Sequence, residues 1–220
     1  MIIEHASVNW ENYIPKNVKT LVLGSFNPNN PGNNANYYYG RNRNYFWKSL
    51  GGFLHNNDHH FFNNGQLNNN LGFQYMEEYG FYFFDLISEL NINGLNQEHE
   101  LNFINSKILN GFSDSVLFTV NTNFQNNNIN IQRTYNQNII NFIREYKPKK
   151  LIHTLGNFTI NLNFESQIGD LNIFLNNISN ECNNSNTQII DLSISPSQYN
   201  IHYHGLRQEL DNWLHQNLIL

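Results

Sequence analysis

The chain has 220 residues, 40% hydrophobic and 15% aromatic, enough for one well-buried core and short for two, so a single domain over 1–220 is expected. Its formal charge of −5, from 12 Lys and Arg against 17 Asp and Glu, runs against a protein that lives by non-specific phosphate neutralisation. A lone cysteine, Cys182, excludes an intrachain disulfide framework and a four-cysteine metal site, and no apolar run approaches the roughly 18 residues that span a bilayer.

Met1 to His5 carries no secretory pattern, so a reducing, cytoplasmic setting without membrane partners is expected. Asparagine makes up about a fifth of the sequence. It is spread among regular apolar runs, which reads as loop and helix-face filling rather than a low-complexity segment.

Along the chain, Thr20 to Ser25 (TLVLGS) reads as a first strand, ending in a loop rich in Asn, Pro and Gly. An amphipathic aromatic segment follows from about Asn42 to Leu54, then a helix near Leu67 to Tyr79 and a strand from Phe81 to Leu86 (FYFFDL). Helical spacing over 98–109 precedes a strand candidate over 115–120 (SVLFTV). Tyr135 to Tyr146 has helical periodicity stopped by Pro148. Lys150 to Leu155 and Gln188 to Leu192 read as strands, and a final helix is expected near Gly205 to Leu218. Strands separated by helices imply α/β architecture with parallel crossovers, in which ligands bind beyond the carboxyl ends of the strands.

Three segments stand at such ends. Gly24-Ser25-Phe26-Asn27-Pro28 leaves the first strand with small residues, a stacking face and an amide. Tyr37-Tyr38-Tyr39-Gly40-Arg41-Asn42-Arg43-Asn44-Tyr45-Phe46-Trp47 sits in a stretch where Arg41, Arg43 and Lys48 meet no acid. Phe46 and Trp47 suit a core; Tyr38, Tyr39, the arginines and Asn44 suit a site. Leu192-Ser193-Ile194-Ser195-Pro196-Ser197-Gln198-Tyr199-Asn200 follows the last strand, and its hydroxyls can either bond phosphate or cap a helix.

In this order the three segments resemble the uracil-DNA glycosylase superfamily, closest to its hypoxanthine-DNA glycosylase-like and mismatch-specific branches, from about Val22 to Trp213. The resemblance implies a three-layer α/β/α domain with a central, mostly parallel four-stranded sheet, needing no cofactor or metal. It implies hydrolysis of the N-glycosidic bond of a flipped-out deaminated or modified base, such as hypoxanthine or uracil, in DNA. The chain is expected to act as a monomer.

Carried over by position, Asn27 and Asn44 are the implied catalytic residues. Ser25, Phe26, Tyr39 and Asp85 are implied to bind the base. Arg41, Arg43, Ser193, Ser195, Ser197 and His202 are implied to bind DNA. The chain departs from the pattern in having no Asp in its first motif and Ser193 where the last motif has His. The alternative is therefore a catalytically weak or inactive module of the same fold that binds a modified nucleobase or nucleic acid. His55, Asp58, His59 and His60 read as an exposed loop rather than a metal cluster, and His153 as a core residue.

Overall fold

The computed structural model describes residues 1–29, 35–41, 43–95, 100, 117, 121–124, 127–155, 169–190 and 192–220.

Two four-stranded sheets and a small antiparallel pair, β3 (Phe62–Asn63) with β4 (Gln66–Leu67), organise these residues, and the connection between the two larger sheets places the candidate site. The first sheet is parallel. It contains β2 (Thr20–Gly24) between β5 (Phe81–Asp85) and β9 (Lys150–His153), with β10 (Gln188–Ile189) at the far edge. All five residues of β2 are buried, the near-continuous apolar run that a strand covered on both faces requires. Helices flank the sheet. Phe81 and Phe83 of β5 meet Phe46 of α1 (Phe46–His55) at ring-centroid distances of 6.3 and 5.1 Å. Tyr82, facing the other way, stacks at 5.0 Å on Phe142 of α3 (Asn138–Tyr146). Strand alternation thus puts α1 and α3 on opposite faces.

Sequence signals account for most boundaries. In α2 (Asn69–Tyr79) the Asn68 side chain caps the start by accepting from Leu71 N, and Gly80 ends the helix at φ +71°. Helix α3 ends through Lys147 in the left-handed region, immediately before Pro148. The remaining helices are α4 (Gly169–Asn184), the short α5 (Gln198–Tyr203) and α6 (Arg207–Leu214), which runs into a π-helical turn over His215–Ile219. The strands expected from Thr20, Phe81, Lys150 and Gln188 are present, each ending short of its expected carboxyl end and the last two by the most. The helix expected over 98–109 and the strand over 115–120 lie outside the described residues, apart from Glu100 and Leu117.

The second sheet is a departure from expectation. It is antiparallel, ordered β1 (Ile2–Glu4), β6 (Ile87–Asn93), β8 (Asn127–Tyr135), β7 (Asn121–Phe124). Strand β8 runs through Tyr135, where the helix had been expected to begin; the helical spacing holds only from Asn138. Strand β6 continues from β5 after Leu86 alone, so the two sheets share one stretch of chain. Pairing of β1 with β6 carries the next residue, His5, to the end of β5, where His5 N donates to Ser88 O at 2.9 Å.

Candidate functional site

At the carboxyl end of the parallel sheet Gly24 lies beside Asp85 in register. A Cβ on Gly24 would stand 2.1 Å from Asp85 Oδ1 and 2.7 Å from the Tyr39 hydroxyl, so the glycine is required by close approach rather than by its φ. Asp85 is only 6% exposed. A buried carboxylate must be paired or hydrogen-bonded, and its partner is His5, itself 5% exposed, through Nε2···Oδ2 at 2.7 Å. On its other side His5 Nδ1 meets Ser7 Oγ at 2.8 Å and accepts the Ser7 backbone N–H at 3.0 Å. With Asp85 ionised, the tautomer carrying Nε2–H satisfies all three contacts.

Rings close round this pair. Trp10, Phe26 and Tyr38 lie 5.5, 5.7 and 5.8 Å from the His5 ring. Burial, and then the Asp85 charge, push the Tyr38 hydroxyl well above the ordinary tyrosine range. Tyr39 stacks on Phe46 at 4.9 Å, bonds Thr154 Oγ1 at 2.7 Å, and sits at φ +55°. A non-glycine residue in that region carries a local backbone cost of order 1 kcal/mol.

Asn27, 9% exposed, accepts Arg41 Nη2 at 2.7 Å on its side-chain oxygen, and its carbonyl accepts Ala6 N at 2.7 Å. Arg41, implied by the resemblance to bind DNA, is half-buried with its guanidinium on Asn27. Burial lowers its pKa while the charge of Asp85 opposes the fall. The site therefore brings together Phe26, Asn27, Tyr39, Arg41 and Asp85, all named from sequence, with His5 and Thr154, which were not. Ser25 stands next to them, its carbonyl accepting Ile87 N at 3.1 Å.

No family model, curated protein or solved structure matches this chain. Function therefore rests on the geometry and the residues themselves.

The other named residues form a neighbouring seam. Asn44 Oδ1 accepts Phe46 N at 2.9 Å, an arrangement that starts α1, and Asn44 bridges to Ser197. Tyr45 N donates to Pro196 O, and Tyr45 Oη meets His202 Nε2, both at 2.8 Å. Ser197 caps α5 by accepting Asn200 N at 3.3 Å, and Ser193 donates to His153 O at 2.8 Å. Arg43 is exposed and Ser195 half-buried along the same run. Ser193 and Ser197 thus each bond the chain's own backbone.

Among the described residues no group of three or more His, Cys, Asp or Glu is placed to hold a metal. Asp58 is held instead by Arg207 at 2.8 Å, and the His55 and His60 rings stack at 3.7 Å. Likewise no described helix is long and apolar enough to cross a membrane.

Proposed function

We propose that this chain is a DNA glycosylase of the uracil-DNA glycosylase fold, acting on a flipped-out deaminated or modified base such as hypoxanthine or uracil. The observation that carries the reading is the meeting of Asp85, Asn27, Arg41 and Tyr39 around Gly24 at the carboxyl end of a parallel sheet. The expected carboxylate, amide and aromatics come from distant parts of the chain, at the place where α/β sheets bind ligands.

In this reading the base enters beside Phe26, and Asp85, oriented by His5, hydrogen-bonds a base N–H. Cleavage builds positive character on the sugar and negative charge on the departing base. The half-buried Arg41 supplies a cation for that negative charge, a task for which the last motif offers Ser193 in place of a histidine. Asn27 fixes the guanidinium and helps place water. The protein works by preorganised hydrogen bonds in a partly dry site, where they are stronger than in water.

A second reading, binding without cleavage, is favoured by one observation. The side-chain oxygens of Asn27 and Asn44 already accept from Arg41 and from Phe46 N, so activating water requires Asn27 to exchange a partner.

Oligonucleotides carrying uracil, hypoxanthine, xanthine or a 5-substituted pyrimidine, treated with alkali after incubation, decide between the two. Strand breaks that vanish in Asn27→Ala and Arg41→Met support the glycosylase. Retained binding with no breaks on any substrate leaves the binding module. Asn44→Ala tests whether that residue does more than start α1.

A further inference from the structure

Tyr199 and Tyr203 are 61% and 78% exposed. Surface apolar residues scattered singly need no explanation, but these are not scattered. The two tyrosines lie one helical turn apart on α5 with ring centroids 5.1 Å apart and planes inclined by 32°, and the His204 ring meets Tyr199 at 5.1 Å. Together with Gln198 and His202 they line a shallow concavity of about 450 Å3.

The surroundings fix what such a surface can accept. The chain as a whole is acidic, yet residues 192–208 contain no Asp or Glu and carry His202, His204 and Arg207. The segment bonded to this one through Asn44–Ser197, Tyr45–Pro196 and Tyr45–His202 belongs to an acid-free stretch, residues 12–57, which holds Arg41, Arg43 and Lys48. Lys48 Nζ lies 5.0 Å from the Tyr45 ring centroid, and Tyr45 in turn meets His202. Asp58 and Asp211 are both bound to Arg207, while Glu209 is exposed on α6 and Asp191 precedes the run in sequence. Flat rings open to solvent, on a segment free of acids and joined to the run that carries Lys48 and the exposed Arg43, suit stacked bases joined by phosphates.

We propose that Tyr199 and Tyr203 form a stacking platform for unpaired DNA, receiving bases that flank the one held near Asp85. This rests on the reading of the chain as a DNA-acting protein and adds a substrate class, single-stranded or locally opened DNA. A paired duplex keeps its base faces stacked on one another and offers the rings nothing equivalent.

The test uses the full chain and fluorescein-labelled oligothymidine with no modified base, against a duplex of equal length, read by anisotropy. The single strand is expected to bind more tightly than the duplex. Tyr199→Ala with Tyr203→Ala should lower its affinity about tenfold or more, because base stacking contributes at that scale. Tyr199→Phe with Tyr203→Phe should retain the affinity, since the ring and not the hydroxyl is used. Both residues are exposed, so an unchanged thermal melt is expected for every variant.

Duplex binding as tight as single-strand binding overturns the proposal, as does an alanine pair that binds like the parent. Oligothymidine carries no base to excise. Its binding therefore stands or falls separately from strand breaks in the glycosylase assay.

Discussion

The two ends of the parallel sheet spend their polar groups differently. At the amino end, side chains bond the chain's own carbonyls. Thr20 Oγ1 donates to Asn217 O at 3.2 Å, Lys150 Nζ to Gln216 O at 3.2 Å, and Thr187 Oγ1 to Pro148 O at 2.7 Å. At the carboxyl end such bonds recur, from Ser193 to His153 O and from Thr154 to Leu23 O, but side chains also bond one another: His5 with Asp85, Arg41 with Asn27, Tyr39 with Thr154. A backbone carbonyl is fixed in place, so the first kind of bond holds an element where it is. A side-chain pair can exchange one partner for a ligand and re-form, so the second kind is what a binding site is made from. The amino end is construction and the carboxyl end is equipment.

Substitutions can break this contrast. Asp85→Ala leaves His5 buried without its acceptor and should cost about 3 kcal/mol of stability in urea denaturation, together with all base binding. A loss below about 1 kcal/mol would mean that His5 finds water and that the pair is not structural. Gly24→Ala places a methyl where Asp85 and the Tyr39 hydroxyl stand. It should cost about 2 kcal/mol and lower base affinity, because Asp85 must move. Thr20→Val at the opposite end should cost about 1 kcal/mol and leave DNA binding unchanged. An effect on binding there would erase the distinction between the ends.

The smallest expected effect lies away from both ends. The Arg207 hydrogen bonds hold the Asp58 carboxyl below its ordinary pKa despite partial burial. A carboxylate whose folded pKa is depressed stabilises the fold above the ordinary range near 4, and that contribution fades as pH falls through the folded value. The side chains of Arg207 and Asp58 are 27% and 43% exposed, so solvent screens the pair. Asp58→Asn should therefore flatten the acid limb of stability by no more than about 1 kcal/mol, read from denaturation midpoints between neutral pH and about pH 3.

Local patterns made the parallel sheet legible. TLVLG and FYFFD are dense apolar runs ending in turn chemistry, and a strand buried on both faces leaves that mark wherever it occurs. The antiparallel sheet left no such mark. Strand β6 alternates imperfectly, with its register shifting between Ile87 and Glu89, and β7 and β8 are rich in asparagine. Cross-strand pairing, not composition, holds that sheet together.

The same limit explains the site. Asn27, Tyr39, Arg41 and Asp85 were visible because each stands in a motif at a strand end. His5 stands in none. Its one signal was indirect: an aspartate closing the apolar strand FYFFD had to have a partner, and no local residue was offered. Arg41 was read as a surface cation because charge in a sequence carries no depth. Its bond to Asn27 is what the folded chain adds.

The pairing of β1 with β6 has a consequence for how the protein is made. His5, Asn27, Tyr39, Arg41 and Asp85, and the strands β1, β2, β5 and β6 that deliver them, all lie within the first 93 residues. Strand β9, the other neighbour of β2, begins only at Lys150. At synthesis rates of about 5–20 residues per second, the part of the candidate site that these residues form, without Thr154, can assemble several seconds before that neighbour exists. For that interval the most apolar strand of the chain has one open edge, where it is exposed to wrong pairing. Slowing translation between residues 93 and 150 should therefore lower the soluble yield while leaving the stability of the finished protein unchanged.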